Sequence, residues 1–176
     1  NNILKDKLKI EMKIEKDLNT LTNNEFASIF GSVFEKSEWI AKEVLRQKPF
    51  KNYQDLIDKM LKIYDSCSES KIIEILNLHP RLAIEKKLTS FSSREQIGAK
   101  LDRCTEAELK EFEKLNNDYE KKFHFPFIIA VKGKDKNEIL NNFRVRFKNN
   151  YESEFLEAKN QVKNIALFRL NEILNS

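Results

Sequence analysis

Apolar residues along this chain recur mostly three and four positions apart, the spacing that lines one face of an α-helix. "TNNEFASIFGSVF" opens with Thr22 and Glu25 at capping-box spacing and sets Phe26, Ile29, Phe30 and Val33 on a single face. A short helix is predicted from Ser37 to Arg46, with Pro49 behind it. "YQDLIDKMLKIYDS" repeats the pattern through Leu56, Ile57, Met60, Leu61 and Tyr64. "KIIEILNL" has to stop at or near His79, because the residue before a proline is pushed out of the α region. Ser92 with Glu95, Thr105 with Glu108, and Asp135 with Glu138 are further capping pairs. The second leads a long stretch through Leu109, Phe112, Leu115, Tyr119 and Phe123. The third leads Ile139, Leu140, Phe143 and Phe147. A last helix, from about Glu152 to Leu174, carries Phe155, Ala158, Val162, Ile165, Ala166, Leu170 and Ile173. Only "KLKIEMKIE" alternates strictly, with Leu8, Ile10, Met12 and Ile14 on one side. That is strand periodicity, and a lone strand needs a partner. It is expected to be an edge element, half of an intermolecular pair, or a non-native extension ahead of a start at Met12.

Composition strengthens the helical reading. Three glycines and three prolines in 176 residues leave little material for hairpins, so short connections between helices are expected. The fold class reads all-α: a single compact domain of about seven to nine helices over residues 21–176, preceded by a strand-like extension over residues 1–20. Hydrophobic residues at 40% and charged ones at 34% suit a water-soluble protein. No run approaches the roughly 20 apolar residues of a membrane span, and a secretory leader pattern is missing. A cytoplasmic setting is expected, since the chain closes on Leu-Asn-Ser and not on a peroxisomal signal. Two cysteines and two histidines make neither a disulfide framework nor a structural zinc site, so reduced thiols and no metal are expected. The net charge of +4 arises from 32 basic and 28 acidic residues mixed along the chain, which points away from nucleic acid.

Three polar residues fall where the pattern gives them a choice of roles. Arg169 lies four residues after Ile165 and four before Ile173, on the buried stripe of the last helix. It either snorkels to the edge or answers an anion, the first being commoner by about two to one. Glu95, three residues after a serine, is accounted for by helix capping. His79 serves as a helix C-terminal cation, stabilised by about 0.3–1 kcal/mol through the macrodipole. His124, in "KKFHFPF", closes a helix before Pro126.

In order, however, "FGSVFEKSEWIA", "LNLHPRLA", "SSREQIGAKL", "LNNDYEKKFHFPFIIAVKG", "RFKNNYESEFLEA" and "NIALFRLNEIL" resemble the family of 2-oxo-4-hydroxy-4-carboxy-5-ureidoimidazoline (OHCU) decarboxylases. The resemblance runs from about Leu21 to the C-terminus. Its most specific pieces are the His-Pro dipeptide closing a helix, the SxxEQ box a dozen residues later, and FPFIIAVKG. It implies an all-α, cofactor-independent, dimeric enzyme of urate degradation that converts OHCU to (S)-allantoin and carbon dioxide. By position, His79 resembles the family's catalytic imidazole, acting as general acid, with Glu95 as its carboxylate companion and Arg169 as a basic residue from the last helix. Pro80, Ser92, Ser93, Arg94 and Gln96, with the backbone of Phe127, Ile128, Ile129, Ala130 and Val131, resemble its substrate cradle. Two positions depart from the family pattern: Arg81, where an acidic residue is common, and His124, where glycine is usual. The alternative of another class is a catalytically inactive all-α module for binding or dimerisation.

Overall fold

Thr22 begins the first helix as expected. Its hydroxyl accepts from the Glu25 amide while the Glu25 carboxylate accepts from the Thr22 amide, so two otherwise unpaired donors are satisfied. The computed structural model describes residues 18–83 and 88–176. Among the described residues there are eight α-helices and no strand. The alternating "KLKIEMKIE" stretch lies outside the described residues. No helix among them is long and apolar enough to cross a membrane. The chain divides into two compact units, one formed by residues up to Ser68 together with Ala166–Ser176, the other by Glu69–Ile165.

The first unit holds α1 (Asn23–Phe30), α2 (Trp39–Leu45), α3 (Tyr53–Asp65) and the C-terminal end of α8 (Tyr151–Leu174). Gly31 ends α1 with its amide on the Ala27 carbonyl; a Cβ there would stand 2.4 Å from that oxygen, so the position admits no larger residue without a shift. Phe26, Phe30, Phe50 and Tyr53 pack ring against ring, with centroids 4.7–6.2 Å apart, and are essentially fully buried. Tyr53 donates its hydroxyl to the Leu170 carbonyl at 2.7 Å, which anchors the end of α8 within this unit.

The second unit holds α4 (Glu69–Asn77), α5 (Ser90–Gly98), a 3-10 turn (Leu101–Arg103), α6 (Glu106–Phe123), α7 (Lys136–Phe147) and the first part of α8. Thr105 and Glu108 form the expected capping box at α6, and Asp135 accepts from the Glu138 amide at α7. At α5 the cap differs from expectation. Thr89, not Ser92, is the N-cap, and its hydroxyl accepts from the Ser92 amide at 3.4 Å. Helix α6 ends on His124 in the left-handed region, φ 64°, with its amide on the Glu120 carbonyl. The core is an aromatic cluster in which Tyr119 meets Phe123, Phe125, Phe127 and Phe143, while Phe127 and Phe143 stack at 3.9 Å.

Candidate active site

His79 sits two residues beyond α4 and is 8% exposed. Its Nδ1 lies 3.0 Å from the Ile75 carbonyl oxygen in the last turn of α4, which also accepts from the Leu78 amide at 3.2 Å. A carbonyl can only accept, so Nδ1 carries a hydrogen and the neutral ring has its lone pair on Nε2. The helix-end contact anticipated for this histidine is therefore made by Nδ1.

The residues that follow are tied down from two helices. Gln96 of α5 donates Nε2 to the Arg81 carbonyl at 3.1 Å and accepts from the Ala83 amide at 3.0 Å, so its amide is engaged by backbone on both sides of Leu82. Asn116 of α6, fully buried, donates Nδ2 to the Leu82 carbonyl at 3.2 Å. Its Oδ1 finds no donor among the described residues, a cost of about 1–3 kcal/mol that the bond to Leu82 has to offset. Ala83 adopts φ 68°, a conformation unfavourable for a residue with a Cβ. Arg81 reaches α6 as well. Its Nε donates to Glu120 Oε1 at 2.9 Å, its Nη2 to Glu120 Oε2, and its Nη1 to Asn117 Oδ1 at 3.1 Å. The guanidinium fork thus holds a carboxylate bidentately.

On α5, Ser92 is buried, Ser93 and Glu95 are half-buried, and Arg94 is exposed with its guanidinium 4.8 Å from the Phe91 ring centroid. Because Thr89 is the cap, Glu95 stands six residues into the helix, out of reach of the capping box that had explained it.

Phe127, Ile128, Ile129, Ala130 and Val131 are all at most 5% exposed and run outside any helix. Side chains from α7 and α8 bond two of their backbone groups. Gln161 accepts from the Ala130 amide at 2.9 Å, and Arg146 donates Nη1 to the Ile128 carbonyl at 2.6 Å. Arg146 also donates Nε to Glu154 at 2.7 Å, and Tyr119 donates its hydroxyl to the same carboxylate oxygen at 2.5 Å. Arg146 Nη2 is 2.7 Å from that oxygen too, close enough for charge attraction yet not aligned to donate. Burial, then the Glu154 carboxylate, hold the Tyr119 phenol far above its ordinary range.

Arg169 belongs to the first unit and is 1% exposed. The snorkelling expectation is overturned. Its Nη2 donates to Glu35 Oε2 at 2.9 Å and its Nη1 to the Ser32 carbonyl at 3.1 Å, so the guanidinium answers an anion supplied by the protein itself. A pair buried this deeply stands or falls together, since removing one partner costs about 3–5 kcal/mol. Reading the sequence missed Glu35, which lies between helices where no periodicity marks burial. It also missed Asn116, although a signal was present: four residues after Phe112 and three before Tyr119, it is a polar residue on an apolar stripe.

The family model described as OHCU decarboxylase matches residues 19–171. The chain belongs to the OHCU decarboxylase family. A 2-oxo-4-hydroxy-4-carboxy-5-ureidoimidazoline decarboxylase of Halalkalicoccus jeotgali is 36% identical over 89% of this chain and 89% of its own length. A uric acid degradation bifunctional protein of Bacillus sp. is 39% identical over 90% of this chain, but the match spans only 32% of that protein. A second bifunctional relative, from Bacillus subtilis, is likewise matched over 32% of its length, so the chain spans about a third of these two proteins. Among solved structures, an (S)-allantoin synthase superposes with a TM-score of 0.73 at 29% identity, covering 90% of this chain and 53% of that one. Arg81 and His124 are the two positions expected from the sequence to depart from the family pattern. The structure places both: Arg81 in the ion pair with Glu120, His124 in the left-handed cap of α6.

Proposed function

We propose that this chain decarboxylates OHCU to (S)-allantoin in urate degradation, with His79 as the general acid. The observation that carries the reading is the Nδ1 bond of His79 to Ile75, which makes Nδ1 the donor and leaves proton transfer to Nε2. In the reaction the bond between a ring carbon and its carboxylate breaks, carbon dioxide departs, and the electron pair passes into the conjugated ring. A proton then arrives on one face of the carbon that becomes the stereocentre, while the hydroxyl-bearing carbon becomes a carbonyl. Protonated His79 delivers that proton from Nε2. Glu95 acts as its carboxylate companion, and Arg169, its guanidinium held by Glu35, is the basic residue of the last helix in this reading. Pro80, Ser92, Ser93 and Arg94 with the Phe127–Val131 backbone form the cradle in this reading. An ordered backbone there stabilises developing charge without reorganising during the reaction. A homodimer, by family resemblance, and a cytoplasmic setting belong to the same reading.

The test supplies purified protein with freshly generated OHCU and follows allantoin formation by circular dichroism. The expected result is faster and more enantiopure product than in buffer, abolished in His79→Ala with the helical spectrum intact. Product formed no faster and no more enantiopure than in buffer returns the chain to the inactive helical module, and an unchanged rate in His79→Ala removes the general-acid role.

A further inference from the structure

We infer that Gln96 and Asn116 are positioning residues: together they clamp the backbone of Arg81–Ala83 and thereby hold the His79 imidazole at a fixed distance from the helix that carries Glu95. This rests on the decarboxylase reading for its catalytic meaning.

Two consecutive peptide units after His-Pro are held by side chains: Gln96 takes the Arg81 carbonyl of the first and the Ala83 amide of the second, and Asn116 takes the Leu82 carbonyl of the second. Gln96 uses a donor and an acceptor at once, which is what the two edges of the Leu82 peptide demand and what neither glutamate nor methionine offers. Its neighbour in sequence is Glu95, so the clamp joins the α5 helix to the segment two residues past His79. The left-handed Ala83 is the sign that the segment does not choose this path unaided. A strained residue persists where its surroundings over-determine it, and here the Gln96 carbonyl receives the Ala83 amide. On the far side, Arg81 forks onto Glu120 of the helix that carries Asn116, which gives the segment a second anchor on α6. The imidazole is then fixed on both flanks, by Ile75 before it and by the clamp after it. Gln96 is 7% exposed with both amide functions engaged, and Asn116 is fully buried; the pair is built to hold backbone.

Gln96→Met removes both bonds with little change in volume, and Gln96→Glu keeps only the acceptor for Ala83. With OHCU as substrate, Gln96→Met is expected to lower kcat by about 10–100-fold with KM changed less than about twofold, and to erode the enantiomeric excess of allantoin, because a misplaced acid delivers its proton less selectively. Gln96→Glu should fall between Gln96→Met and the parent. A raised KM at unchanged kcat would make Gln96 a direct substrate ligand and overturn the inference, as would parental kcat and enantiopurity. A readout free of turnover is the ring-nitrogen NMR spectrum of the chain's two histidines, with His124 as internal reference. A single Nδ1-protonated His79 signal in the parent should broaden or split in Gln96→Met and in Asn116→Leu. An unchanged His79 signal in both folded variants also overturns the clamp, even if the parent protein proves inert towards OHCU, whereas an inert parent with the predicted His79 change removes only the decarboxylase reading.

Discussion

Tyr119→Phe isolates one bond in the buried network that supports the Phe127–Val131 segment. The hydroxyl donates to Glu154 at 2.5 Å, and both residues are 0% exposed. Phenylalanine fills the ring's volume and keeps its contacts with Phe123, Phe125, Phe127 and Phe143, so no cavity larger than one oxygen arises. A hydrogen bond to a charged acceptor contributes about 1.5–3 kcal/mol. The lower part of that range applies, because Glu154 is not orphaned: Arg146 Nε at 2.7 Å and Asn149 Nδ2 at 3.1 Å remain. A loss of about 2 kcal/mol follows. With a urea slope of about 2 kcal/mol/M, the midpoint of unfolding should fall by about 1 M at unchanged slope. For a chain of this size the melting temperature should fall by about 4–8 °C. Glu154→Gln, which removes the charge facing Arg146, should cost more, about 3–5 kcal/mol. A midpoint shift below about 0.2 M for Tyr119→Phe, or a larger loss there than in Glu154→Gln, would refute the view that this carboxylate organises the network.

Burial pushes the phenols of Tyr53, Tyr64 and Tyr119 well above their ordinary value near 10. The folded state keeps protons that the unfolded chain surrenders, so stability is fully present below about pH 10 and declines as pH rises beyond it. Tyrosinate absorbance from these three residues should appear together with loss of helical circular dichroism, and absorbance preceding unfolding would contradict their burial. His124→Gly relieves a side chain at φ 64° and should raise stability by about 1 kcal/mol in thermal melts, with the Asn77 bond to the His124 carbonyl retained; a lower melting temperature would show that the imidazole makes compensating contacts.

The helices were legible because burial on one face imposes a period that residue types record directly. Phe112, Tyr119 and Phe123 fall on the buried face of α6 as their spacing required, and Thr105 and Glu108 cap it as their chemistry required. Legibility failed where two residues offered the same chemistry. Thr89 and Ser92 both carry a hydroxyl ahead of a helical run, and the chain folds with Thr89 as the cap. That small shift removes the capping explanation from Glu95, which stands inside the helix and not in its first turn. Burial of Glu35 had no local signature, because its partner Arg169 lies 134 residues away. Polar residues on apolar stripes were the better guide, and Asn116 belongs with Arg169 in that class.

Arg81 marks the boundary between what a family pattern and a physical reading can explain. In the sequence it stands where an acidic residue is expected. Its guanidinium meets the Glu120 carboxylate and Asn117, residues 39 and 36 positions further along the chain. An acidic residue at this position would place like charge against Glu120 and would lose the fork that ties the segment to α6. The substitution is therefore coherent with its partner: Arg81 and Glu120 form one unit, and the carbonyl of the same Arg81 is the atom that Gln96 grips. The backbone path past His79 is thus held both by the Arg81 fork on Glu120 and by the bonds of Gln96 and Asn116 to its peptide groups.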